Sequence, residues 1–297
     1  MFASIILVSL RNIITPKKTN MMKRNAKIIL SLAVGIATVA SCTQVNDNSN
    51  KTKTDTLSQV QKQAFNQAKA VFYALPSPVE TATMLENLGV KFTDKYLHTT
   101  ADVEKYNTTS SEALNLGIYT ADMSFCALYE QNQAVIDYLS TVKKLSERLG
   151  IAGFFNDSTL QTFQNNINNK NKIINSISES YSQSTSFLDE QERTEIASTV
   201  IVGGWIETLH LTLNMLKDVD LKNNKADVND IMLNQQFTLE DLIGMLELFK
   251  DDKYIANLED KLLELKKTFD KVHGEITLEQ IENLEKSVVV IRNDFIK

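Results

Sequence analysis

Two stretches of the chain do not keep their apolar residues to one side. Across residues 111–131, Leu114, Leu116, Ile118, Tyr119, Met123, Phe125, Cys126, Leu128 and Tyr129 fall all round a helix, and Asp122 is the one charge between Glu112 and Glu130. A helix apolar on every side is an interior helix. Residues 196–216 have the same character, with Glu207 and His210 as their ionisable groups. These two stretches are predicted to be the buried centre of one all-α bundle of about nine helices, spanning residues 56–297.

The surrounding segments carry one-sided patterns. Leu57, Val60, Ala64, Ala68, Val71 and Leu75 recur at three- and four-residue steps, which predicts an amphipathic helix. Ser77 as cap, Pro78 and Glu80 then open a short helix that closes at Gly89. Short helical turns are expected at 100–106. Thr109 with Glu112 opens the first central helix; after a break near Gln131 and Asn132, Val135, Leu139, Val142 and Leu145 carry the pattern to Gly150. Two helices, separated by an Asn-rich turn at 165–171, are expected within 151–189, the first capped by Asp157 or Ser158. Asp189 is assigned as the cap of the second central helix. Helices follow over 228–237, 238–250 with Thr238 as cap, 252–273, and 277–297 opened by Thr277 and Gln280. Gly203 and Gly204, in mid-helix, each cost about 1 kcal/mol against Ala. Close packing against the small residues Gly117 and Ala121 would account for them.

Composition agrees with an all-α chain. Three prolines and nine glycines in 297 residues leave few breakers, and the turn residues of an all-β fold are missing.

The first 41 residues read as a targeting segment rather than as part of the fold. Met21, Met22, Lys23, Arg24 and Lys27 form a basic stretch, an apolar run covers 28–40, and Val39, Ala40 and Ser41 precede Cys42. The run of about 13 residues is short for a membrane span. Residues 1–20 precede a complete signal with its own methionines and read as an upstream extension from a start codon placed too early. Removing residues 1–41 takes away six Lys and Arg and no acid, so 25 basic residues face 37 acidic ones and the net charge moves from −6 to −12. An acidic body is a poor ligand for nucleic acid. Residues 43–55 are polar and read as a disordered tether, with a reach of roughly 20 Å. Cys126 sits inside an apolar helix and reads as a buried, inert thiol.

The small residues before Cys42 resemble the lipobox of bacterial lipoproteins. That resemblance implies a signal peptide at 21–41, cleavage before Cys42, and acylation of Cys42 with more than one fatty acid chain, palmitate among them, enough for a stable anchor. The segments LPSPVE at 75–80, KYNTTSSEALNLGIYTADMSF at 105–125 and GGWIE at 203–207 resemble a family of periplasmic lipoproteins of Gram-negative bacteria. The resemblance covers essentially the mature chain. It implies a helical lipoprotein on the periplasmic face of the outer membrane, with surface display as the other address, and it brings no catalytic residues. Its expected partners are the membrane, through the lipid, and an envelope protein or a small ligand.

Candidate chemistry is sparse. The three histidines are His98, His210 and His273; Glu207 with His210 and Asp270 with His273 each put an acid and an imidazole on one helix face. Di-iron bundles need two E-x-x-H pairs and two further glutamates, so no metal and no cofactor is expected. H-E-x-x-H, C-x-x-C, P-loop, G-x-S-x-G and G-x-G-x-x-G patterns are absent from the sequence. Asp122, Glu207 and His210 are the ionisable groups of the two central helices, and buried charges must be paired or change protonation. They are expected to meet, with Asn115, Tyr119 and Trp205 as donors, either as a polar network fixing helix register or as the floor of a small-ligand pocket. The leading function is thus a non-enzymatic binding or scaffolding lipoprotein. The alternative is a metal- or acid/base-dependent enzyme using Asp122, Glu207 and His210.

Overall fold

The computed structural model describes residues 78–297. The extension at 1–20, the signal at 21–41, Cys42 with its tether, the helix expected over 57–75 and the Ser77 cap lie outside the described residues.

Helix α1 (Pro78–Asn87) is followed by a 3-10 turn (Thr100–Lys105), α2 (Thr109–Leu128), α3 (Asn132–Arg148), α4 (Asp157–Asn165), α5 (Lys170–Glu190), α6 (Thr194–Leu216), α7 (Lys225–Glu247), α8 (Lys253–Phe269) and α9 (Leu278–Phe295). No strand occurs among the described residues. The chain is an all-α bundle, and its two central helices are α2 and α6. Every residue of α2 from Ala113 to Leu128 is buried, as is every residue of α6 from Ala197 to Leu216. Helix α6 is long and apolar enough to cross a membrane, yet 94% of its most apolar window is buried inside the body.

The glycines explain how two helices share one centre. A Cβ on Gly117 would overlap the Val200 carbonyl oxygen and crowd the Gly204 nitrogen, and one on Gly203 would overlap the Leu114 carbonyl oxygen. The α2 and α6 backbones therefore touch at Gly117 and Gly203, where any side chain would force them apart. Buried hydroxyls along both helices donate to the carbonyl four residues back: Thr120 to Leu116 and Ser124 to Thr120 on α2, Thr208 to Gly204 and Thr212 to Thr208 on α6. That back-bonding lets threonine-rich helices sit in an apolar core with their hydroxyls satisfied.

The outer helices cover this pair. Helix α3 packs on α2, α9 on α6, α1 and α5 on both, and α8 joins α7 to α9. One apolar cluster, with Leu116, Met123, Val142, Leu145 and Phe163, lies on the α2–α5 side. The other, with Ile206, Leu213, Leu242, Leu262, Leu284 and Val288, lies on the α6–α9 side.

Several boundaries differ from expectation for local reasons. Residues 225–247 form one helix, because Thr238 donates its hydroxyl to Asn234 O inside α7 and caps nothing. Asp189 belongs to the last turn of α5 and accepts from the Thr194 hydroxyl; the α6 N-cap is Arg193. The α2 capping box is made by Thr108 and Ser111, and Asn156 caps α4. Helix α8 ends at Phe269, short of His273. The Thr277–Gln280 capping box of α9 and the positive φ of Gly89, Gly150 and Gly274 fall where the sequence puts them.

Candidate functional site

Asp122 on α2 and Glu207 on α6 are fully buried, and they meet. The third member comes from α9. Arg292 places Nε 2.5 Å from Glu207 Oε2 and Nη2 2.8 Å from Oε1, a two-point clamp on the carboxylate. Asp122 Oδ2 accepts the His98 backbone N–H at 3.0 Å. Asp122 Oδ1 is buried with no hydrogen-bond partner, and the two carboxyls act on each other's protonation.

One proton settles this arrangement. Burial holds the Asp122 carboxyl well above the usual carboxylate range, and the neighbouring Glu207 charge pushes it the same way; Arg292 and the His98 N–H oppose both. Burial also raises Glu207, against the pull of Arg292. Glu207, which has the guanidinium, stays ionised, and Asp122 keeps the proton. The buried cluster is then a neutral acid beside one closed ion pair.

Around it lies an aromatic shell. His98 stacks on Tyr119, ring centres 5.1 Å apart, and its Nε2 shares a 2.7 Å hydrogen bond with the Tyr106 hydroxyl. Burial, helped by Arg292, lowers the His98 pKa to about 4, so the ring is neutral. Tyr138 donates to His98 O at 2.8 Å, and Tyr119 to Thr99 O at 2.9 Å. Together these bonds fix the strand of chain whose amide faces Asp122.

The remaining expected members are placed elsewhere. His210 sits edge-on to Tyr96 and accepts at Nδ1 from Asn214 at 3.2 Å. Burial lowers its pKa to about 3. The Glu207–His210 spacing therefore gives two neighbours on one helix with separate partners. Asn115 donates to Ser111 O and Phe295 O, both at 2.9 Å. Trp205 is buried, and its Nε1 has no hydrogen-bond partner. Asp270 is paired with Lys266 at 2.6 Å on the surface, and His273 is exposed. Cys126 is fully buried, and burial pushes its thiol up.

Sequence reasoning found the two acids and missed Arg292, His98, Tyr106 and Tyr138. Arg292 left a readable trace. Ile281, Leu284, Val288 and Phe295 make the inner face of α9, and Arg292 stands on that face four residues after Val288.

Chemically, the cluster is closed. Glu207 already holds a guanidinium where a cation or substrate would sit. Among the described residues no group of three or more His, Cys, Asp and Glu is gathered as a metal would need. No family model matches the chain, and neither a curated protein nor a solved structure is found similar to it.

Proposed function

We propose that this protein is a lipid-anchored envelope lipoprotein whose helical body binds or scaffolds a partner on its outer surface. The observation that carries the reading is the order of three sequence features: basic residues 23–27, an apolar run at 28–40, and small residues directly before Cys42. In this reading Cys42 is acylated, and residues 43–55 hold the acidic body off the bilayer on the periplasmic side. The character of the buried cluster supports a binding role over an enzymatic one. Asp122 and Glu207 have no exposed surface, and the Glu207 charge is matched by Arg292. A general acid or base must reach the substrate proton directly or through one water. The groups that acid/base chemistry would have used instead tie three helices together.

The test is metabolic labelling with a fatty-acid probe, followed by cross-linking and pull-down from intact envelopes. The parent chain is expected to carry label and fractionate with membranes, and Cys42→Ala is expected to lose both the label and the cross-linked partner. An unlabelled parent, or one in the cytosol, would overturn the reading. Stoichiometric iron or zinc in the purified body would favour the enzymatic alternative.

A further inference from the structure

Residues 88–99, between α1 and the 3-10 turn, are the longest stretch without a helix among the described residues. They lie across α2 at Asp122, with Lys91, Asp94 and Lys95 exposed on the outer side. Among the described residues, the backbone of 91–98 makes no hydrogen bond to the backbone of any helix. Side chains of the helices hold the segment instead. Tyr129 donates to Val90 O at 2.8 Å, Asp122 accepts the His98 N–H, and Tyr138 donates to His98 O. Phe92 lies on Phe125 with ring centres 5.7 Å apart. Phe92 and Leu97 are half-buried and pack on both apolar clusters, so the segment closes the seam between them. Cys126, one turn after Asp122 and next to Phe125, is fully buried in the cluster on which Phe92 and Leu97 pack.

A segment held by a few separate contacts opens at lower cost than helices held by their own hydrogen bonds and by the core. The two ends of this one are suited to act as joints. Gly89 has a φ of 74° and nothing within 4 Å of the place a Cβ would take. Thr99, in extended backbone, caps the 3-10 turn, and Tyr119 holds its carbonyl at 2.9 Å. We propose that residues 90–98 are a lid that lifts off α2 as one unit, on joints at Gly89 and Thr99, while the helices stay folded. The motion frees the oxygen of Asp122 that accepts from His98 and uncovers Cys126. Glu207 stays clamped throughout, because Arg292 comes from α9 and not from the lid. The inference goes beyond the proposed function and holds whether or not Cys42 is acylated.

Cys126 serves as a built-in reporter. In the full chain with Cys42→Ala it is the one thiol. While the lid is shut the thiol is buried and held protonated, so it reacts only through an opening. Modification by a thiol reagent in native buffer is expected to run at least about a hundredfold faster than global unfolding allows, with a urea dependence well below the equilibrium slope. The His98 amide should exchange through the same opening and give a matching opening constant, while α2 and α6 amides stay protected. Tyr138→Phe keeps the ring and removes the hydroxyl that holds His98 O, so both rates should rise about fivefold. Labelling no faster than global unfolding, or carrying the full urea slope, overturns the proposal. So do opening constants from Cys126 and His98 that differ by more than about tenfold, or rates that ignore Tyr138→Phe. Should that variant fail to fold, the parent's two opening constants decide.

Discussion

Helices α2 and α6 are joined at two levels by opposite means. At Gly117 and Gly203 the side chains are absent and the backbones themselves are in contact. At Asp122 and Glu207 the side chains are acids, one neutral and one ionised, and the interface is completed by Arg292 from a third helix. The first joint is steric and tolerates no added atom. The second is electrostatic and depends on one proton and one distant residue. A glycine contact can be made by two helices alone, whereas a buried acid pair cannot be stable until something else supplies the positive charge.

The comparison is tested most severely by Arg292→Met, which leaves the ionised Glu207 buried without its partner. A loss of about 3–5 kcal/mol is expected from chemical denaturation. Glu207 would then take up a proton on folding, so the loss should shrink as the pH falls into the carboxylate range. Removing both partners, as Glu207→Leu with Arg292→Met, should recover much of that loss.

Next come the adjacent glycines. Gly203→Ala drives a methyl into the Leu114 carbonyl oxygen and should cost about 3 kcal/mol. Gly204→Ala meets the Tyr181 hydroxyl at 3.3 Å, where a side chain can yield, and it gains helix propensity. Its net effect should stay within about 1 kcal/mol. Equal effects at the two positions would contradict the backbone-contact account.

Smaller effects concern protons. His210 has a folded pKa of about 3 against an ordinary 6.5. Between those values the unfolded chain binds a proton that the folded one refuses. Stability therefore falls on acidification below pH 6.5, by up to about 1.4 kcal/mol per pH unit for this residue. His210→Phe should make that limb shallower, leaving the part that His98 contributes, while the melting temperature at pH 7.5 stays unchanged or rises. Asp122 has the reverse sign. Its raised pKa makes stability fall as pH rises above the ordinary carboxylate value, until the folded group itself ionises. Asp122→Asn can accept from the His98 N–H and donate to Glu207 without that proton. It should remove the slope and be equal to the parent, or about 1 kcal/mol more stable, at pH 8.

The two joints also differ in how far they could be read from the sequence. Gly203 and Gly204 inside an apolar helix are locally unfavourable, and local cost points directly to a close neighbour. Asp122 and Glu207 are equally conspicuous, and their meeting was foreseen. Their counter-ion was not, because Arg292 comes from a helix whose overall pattern is amphipathic and whose charges look solvated. His210 is grouped with Asp122 and Glu207 as an ionisable group of a buried helix and by its spacing from Glu207, but neither burial nor a shared helix face decides which neighbours each side chain meets. Thr238 and Asp189 show the same limit at helix ends. Either residue type caps well, and whether it does depends on where the next turn of helix finds its packing.

The clamp on Glu207 also imposes an order in time. Glu207 leaves the ribosome 85 residues ahead of Arg292. Throughout that interval the growing polypeptide holds an acid that cannot enter an apolar interior cheaply. The centre of the bundle therefore closes late, after α9 has been synthesised.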